Sequence, residues 1–103
     1  MPNYRNQFSK DSQAINIDYC KSFILNSYVL VEQNNWQEIK SQMTSAMNYF
    51  SRVMESISEN TQNQNRISKT YILLNELNNS IELQDRELFY IKYRNVMQEL
   101  LDF

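Results

Sequence analysis

The chain is 103 residues long, 42% hydrophobic and 21% charged, with a formal net charge of -2. That length suits one domain with one core, held without metal or disulfide, and the mild acidic balance argues against general affinity for nucleic acid or anionic membrane. Histidine and glycine are absent. The first absence removes Ser/His and Cys/His dyads, nearly all zinc sites and the usual di-metal motif of helical bundles. The second removes phosphate-cradling loops, nucleophile elbows and tight primed hairpins.

The only proline is Pro2 and the only cysteine is Cys20. An intramolecular disulfide is therefore impossible, and nothing interrupts helices after residue 2. No apolar run approaches the roughly 20 residues of a membrane span. The N-terminus is polar and reads as no signal peptide, and Ile-Asp-Tyr before Cys20 is no lipid-attachment box. The compartment is cytoplasmic, or extracytoplasmic if a leader has been removed. Asn, Gln and Ser make up about a third of the residues, spread between regularly spaced apolar positions rather than gathered in tracts.

Residues 1–10 carry no periodicity and read as a frayed segment, leaving 11–103 as a single helical-bundle domain. Asp11 or Ser12 supplies the cap of a first helix over 11–34, with Ile17, Cys20, Ile24, Tyr28 and Val31 on its apolar face and Phe23, Leu25 and Leu30 widening it. Asn34 and Asn35 end it, because asparagine tolerates the left-handed conformation that glycine would otherwise supply. The second helix, 35–58, carries the clearest signal: Trp36, Ile39, Met43, Ala46, Phe50, Val53 and Ile57 recur at alternating spacings of three and four. Asn35 opens it, with Glu38 completing a capping box, and Met47 and Met54 broaden the stripe enough for two neighbours.

Ser58 to Asn65 is a polar tract and reads as a loop. A third helix over 66–83 follows, with Ile67, Thr70, Leu74, Leu77 and Ile81 buried. Asp85 caps a fourth over 86–102, with Phe89, Tyr93, Val96, Leu100 and Phe103 inward. The break near Gln84 also admits one kinked rod. No internal sequence repeat is evident. The fold expected is all-α, an up-and-down four-helix bundle.

Few residues offer chemistry. The acidic pairs Glu55/Glu59, Asp85/Glu87 and Glu99/Asp102 read as solvated surface rather than cation sites, and Cys20 as a small buried hydrophobe. No catalytic residue, cofactor or metal ligand is assigned. Phe89 to Asn95 interleaves aromatics with Lys92 and Arg94, a pattern that could stack and hold a single nucleic-acid strand; the negative net charge favours a packed, ion-paired surface instead. The methionines, among them Met43, Met47, Met54 and Met97, suggest either core packing or an adaptable groove for a partner helix or an apolar ligand, the latter as a cavity for a lipid or small molecule. Trp36 and Tyr90 are the candidate anchors for a partner, with Lys92 and Arg94 beside Tyr90.

The segments Asn-Trp-Gln-Glu-Ile-Lys at 35–40, Leu-Asn-Glu-Leu-Asn-Asn-Ser-Ile-Glu-Leu-Gln-Asp at 74–85 and Leu-Phe-Tyr-Ile-Lys-Tyr-Arg-Asn-Val-Met at 88–97 resemble small uncharacterised helical proteins of low-G+C Gram-positive bacteria, some of them exported or membrane-tethered. The resemblance covers about the last two-thirds of the chain and rests on packing patterns. It implies a helical bundle and no catalytic signature. The expected role is that of a non-enzymatic module that binds a protein partner or itself, with nucleic-acid binding or ligand carriage as alternatives.

Overall fold

The computed structural model describes the backbone of residues 4–56 and 61–103, and the side chains of 13–55 and 64–103. Four helices follow one another: α1 (Tyr4–Glu32), α2 (Trp36–Ser56), α3 (Thr61–Glu82) and α4 (Arg86–Leu101). Each packs on its neighbour in sequence, and α1 and α4 meet to close the ring, which is the contact pattern of an up-and-down bundle. The interfaces within the α1–α2 and α3–α4 hairpins are larger than the two that join the hairpins. Among the described residues no helix is long and apolar enough to cross a membrane.

The apolar stripes meet where the spacings place them. Ile17, Cys20, Ile24 and Val31 of α1 face Ile39, Met43, Ala46, Phe50 and Val53 of α2, and Ile67, Leu74, Leu77, Ile81, Phe89, Val96 and Leu100 complete the core. Ser27, Thr70 and Ser80 are also buried, and each hydroxyl donates to a carbonyl one turn back, at Ile24, Arg66 and Leu77. Their polarity is thereby absorbed by their own helices.

Several boundaries and side chains depart from the expected pattern. The first helix begins at Tyr4, so Asp11 and Ser12 lie inside it and neither is its cap. No glycine or proline separates residues 4 and 11, so nothing stops the helix from extending backward. Residues 61–65, read as loop, form the first turn of α3, for the same reason; residues 57–60, with Ile57 of the seam and Glu59, lie outside the described residues. Leu25 is 49% exposed rather than part of the core flank, and Phe103 follows the end of α4 instead of lying on its buried face. The capping box on α2 is half formed. Asn35 Oδ1 accepts from the Glu38 N–H at 3.3 Å, while the Glu38 carboxylate accepts from Gln42 Nε2.

The turn near Gln84 separates two distinct helices. Gln84 has φ 52°, and Asn34 has φ 58° in the turn between α1 and α2. Both turns are built alike. The Asn34 N–H donates to the Val31 carbonyl and that of Asn35 to Leu30; the Gln84 N–H donates to Ile81 and that of Asp85 to Ser80. These are Schellman closures, which satisfy the last carbonyls of a helix through one left-handed residue.

Each partner in the second turn stands fifty residues after its counterpart in the first, and the same offset runs through the core. Ile17 matches Ile67, Ile24 matches Leu74, Val31 matches Ile81, Ile39 matches Phe89, Ala46 matches Val96 and Phe50 matches Leu100, all buried. Contacts between hairpins match as well: Tyr90 reaches Glu32 across α4 and α1, and Lys40 reaches Glu82 across α2 and α3. The bundle thus consists of two helical hairpins alike in turn geometry and core spacing, the first built from longer helices. Identical residues at this offset are few, among them Ile17/Ile67, Glu32/Glu82 and Met47/Met97, which is why no repeat is legible in the sequence.

Two stability measurements follow. Phe50→Ala should cost about 3–5 kcal/mol in denaturant unfolding, since it empties the centre of the core. Gln84→Gly should add about 1 kcal/mol by relieving the left-handed backbone. Asn34→Gly should gain less, because Asn34 Oδ1 accepts a 2.6 Å hydrogen bond from Arg86 that glycine cannot supply.

Candidate functional site

The α1–α4 seam closes tightly at one end and opens along the rest. At the closed end Arg86, the first residue of α4, donates to the Val31 carbonyl at 3.1 Å and to Asn34 Oδ1 at 2.6 Å. One turn on, the Tyr90 hydroxyl donates to the Glu32 carboxylate at 2.6 Å. Tyr28 of α1 packs against the Tyr90 and Tyr93 rings, with centroids 5.4 and 5.0 Å apart, and Tyr93 stacks in turn on buried Phe89. Beyond these rings a surface groove of about 690 Å³ runs along α4, lined by Tyr28, Tyr90, Tyr93, Arg94, Met97, Gln98 and Leu101.

Its surface is mostly apolar, with one charge. Leu101 is 69% and Tyr28 40% exposed. Arg94 is exposed and has no ion pair among the described residues. Residues 90, 91, 97 and 98, one turn to either side of it on α4, include no carboxylate, so its own helix offers no partner. Tyr90 keeps its proton above the usual range, first because its O–H is held by Glu32 and then through desolvation. Burial raises Tyr93 in the same direction. Both phenols are therefore neutral at physiological pH.

Of the four residues singled out as partner contacts, the structure brings two together. Tyr90 and Arg94 line the groove. Lys92 points to α3 and pairs with Glu76 at 3.3 Å, and Trp36 is partly buried against the core at the start of α2. Met97, one of the methionines read as able to line a groove, joins them, whereas Tyr28, Gln98 and Leu101 were not among the candidates. Tyr90, Arg94, Met97 and Leu101 do follow one another at spacings of four, three and four, a second stripe beside the buried one, and that rhythm is the signal that could have found them.

Elsewhere several side chains tie neighbouring helices together, while Ile15, Val29, Ile72, Leu83 and Ile91 are also exposed. Tyr49 stacks between Tyr19 and Phe23 under the Arg52 guanidinium, 4.9 Å from its ring, which ties α1 to α2. Lys69 pairs with Glu99 at 2.7 Å, and Arg66 donates to the Asp102 carbonyl while lying over Phe103. Met43 is buried, and Met47 and Met54 are partly buried against the core, so the methionines do not gather around one cavity. No group of three His, Cys, Asp or Glu that could hold a metal forms among the described residues.

Cys20 is fully buried, and burial pushes its thiol from 9.0 up to about 12. The thiolate is the reactive form, so an alkylating reagent at pH 8 should leave native Cys20 untouched and modify it once the chain is unfolded. The unfolded chain ionises first, so the thiol's contribution to stability is complete below about pH 9 and is lost as pH rises toward 12. Cys20→Ala should flatten that alkaline decline, measured by urea unfolding across the window. In comparisons with known proteins, no family model, curated protein or solved structure matches this chain.

Proposed function

We propose that this small, compact, all-helical domain is a non-enzymatic protein-interaction module and that the α1–α4 groove is its contact surface. The observation that carries the reading is the groove row of exposed Tyr28 and Leu101 and partly buried Tyr90 and Met97 around exposed Arg94. Tyrosine, methionine and arginine are the residue types enriched where proteins meet, and arginine and tyrosine are frequent energetic anchors there.

The alternatives draw less support. Nucleic-acid binding through Lys92, Tyr93 and Arg94 would need a basic surface, whereas Lys92 is engaged by Glu76 and the net charge is negative. Carriage of a lipid or small ligand would need a site that encloses roughly 70–90% of its cargo, and the groove is open on its outer side.

Site-specific photo-cross-linking in the source cells tests the proposal. A benzophenone amino acid at position 98, in the groove, should yield a discrete protein adduct. The same group at exposed position 72, on α3 outside the groove, should not. Adducts of equal yield from both positions, or adducts with nucleic acid or lipid alone, would overturn it.

A further inference from the structure

The two hairpins supply an internal control for the groove. Its counterpart lies at the α2–α3 seam, fifty residues away at every position. Three groove residues are matched in kind: Tyr93 corresponds to buried Met43 and Met97 to partly buried Met47, so packing accounts for them, and Gln98 corresponds to Asn48. Four are not matched. Tyr28 corresponds to Asn78, Tyr90 to Lys40, Arg94 to Thr44 and Leu101 to Ser51. The same bundle positions thus hold Asn78, Thr44, Ser51 and an ion-paired lysine at one seam, and two tyrosines, a leucine and an arginine without an ion pair among the described residues at the other. Even the hydrogen bond from Tyr90 to Glu32 has a polar equivalent in the pair of Lys40 with Glu82. The fold does not call for an exposed tyrosine, arginine and leucine here.

Their layout describes an occupant. The stripe from Tyr90 to Leu101 spans eleven residues, about 16 Å or three helical turns. That length suits an amphipathic helix lying along α4 with anchors one turn apart, the recurrent way a helix fills an apolar groove. Arg94 stands midway along the stripe without an ion pair among the described residues. A facing carboxylate would complete it, and a facing cation would be repelled. A second copy in symmetric groove-to-groove contact would bring Arg94 toward its own image, so that occupant is disfavoured. We infer that the α1–α4 groove receives an acidic amphipathic helix of about three turns from a different protein, with a carboxylate seated at Arg94. The inference rests on the interaction reading above and adds to it the shape and charge of the partner.

The test selects helical peptides from a display library against the purified full chain. Every peptide carries leucine at three positions one turn apart, with randomised flanks, and selected peptides are then measured by fluorescence anisotropy. Selected sequences should be enriched in Asp and Glu beside the leucine stripe and should weaken about tenfold on Arg94→Glu. Arg94→Glu should in turn select basic flanks. The combined variant Tyr28→Asn, Tyr90→Lys, Arg94→Thr and Leu101→Ser copies the other seam; it should keep its helicity and a cooperative melt and bind none of the peptides.

Leucine-striped peptides that bind the groove without acidic bias, or that ignore Arg94→Glu, would overturn the acidic helix and leave the interaction reading standing. Failure to select any peptide that competes at the groove, together with a negative cross-link from position 98, would remove both. A dimer in sedimentation that Leu101→Ser abolishes would make a second copy the occupant and overturn the inference. So would loss of folding in the combined variant, because the four residues would then serve the fold.

Discussion

The architecture depends on two residues held in a conformation that neither favours. A chain without glycine still has to reverse direction between consecutive helices, and it does so at Asn34 and Gln84 with positive φ. The Schellman bonds around them satisfy helix-end carbonyls that would otherwise go unpaired, and the next residue in each turn accepts from the first turn of the following helix. Because both turns have the same length and bonding, both hairpins enter the bundle in the same register. The core pairs Ile39 with Phe89, Ala46 with Val96 and Phe50 with Leu100 at equivalent places as a result.

Much of this was legible before any coordinates. Spacings of three and four locate all four buried stripes, and the caps at Asn35 and Asp85 are written in residue type. What escaped follows from weak local preferences. Thr, Gln and Asn differ from better helix formers by only tenths of a kcal/mol per residue, so a polar tract without glycine or proline does not mark where a helix begins. Residues 61–65 are the example. The repeat escaped because burial is retained at these core positions while residue identity, and in places polarity, is not, as when Cys20 answers to Thr70 and Ile24 to Leu74.

The candidate site was half legible. Tyr90 and Arg94 stand out as an aromatic and a cation off the main stripe, whereas Lys92 looks equivalent in sequence and is taken up by Glu76 on α3. Which charge finds a partner depends on the neighbouring helix, and no spacing rule within α4 supplies that. Tyr28 shows the converse. Its spacing places it with the buried face of α1, but the ring packs beside Tyr90 and Tyr93 at the surface, 40% exposed, and becomes part of the groove wall.

The division into two hairpins has a kinetic corollary. Most of the packing lies between helices joined by a three-residue turn, so the average separation in sequence between touching residues is small. Chains of that kind fold fast, because little loop-closure entropy is lost before contacts begin to reward it. The two seams that join the hairpins, α2–α3 and α1–α4, are the smaller interfaces, and the groove lies along one of them. A partner seated there would clamp the halves together and slow their separation.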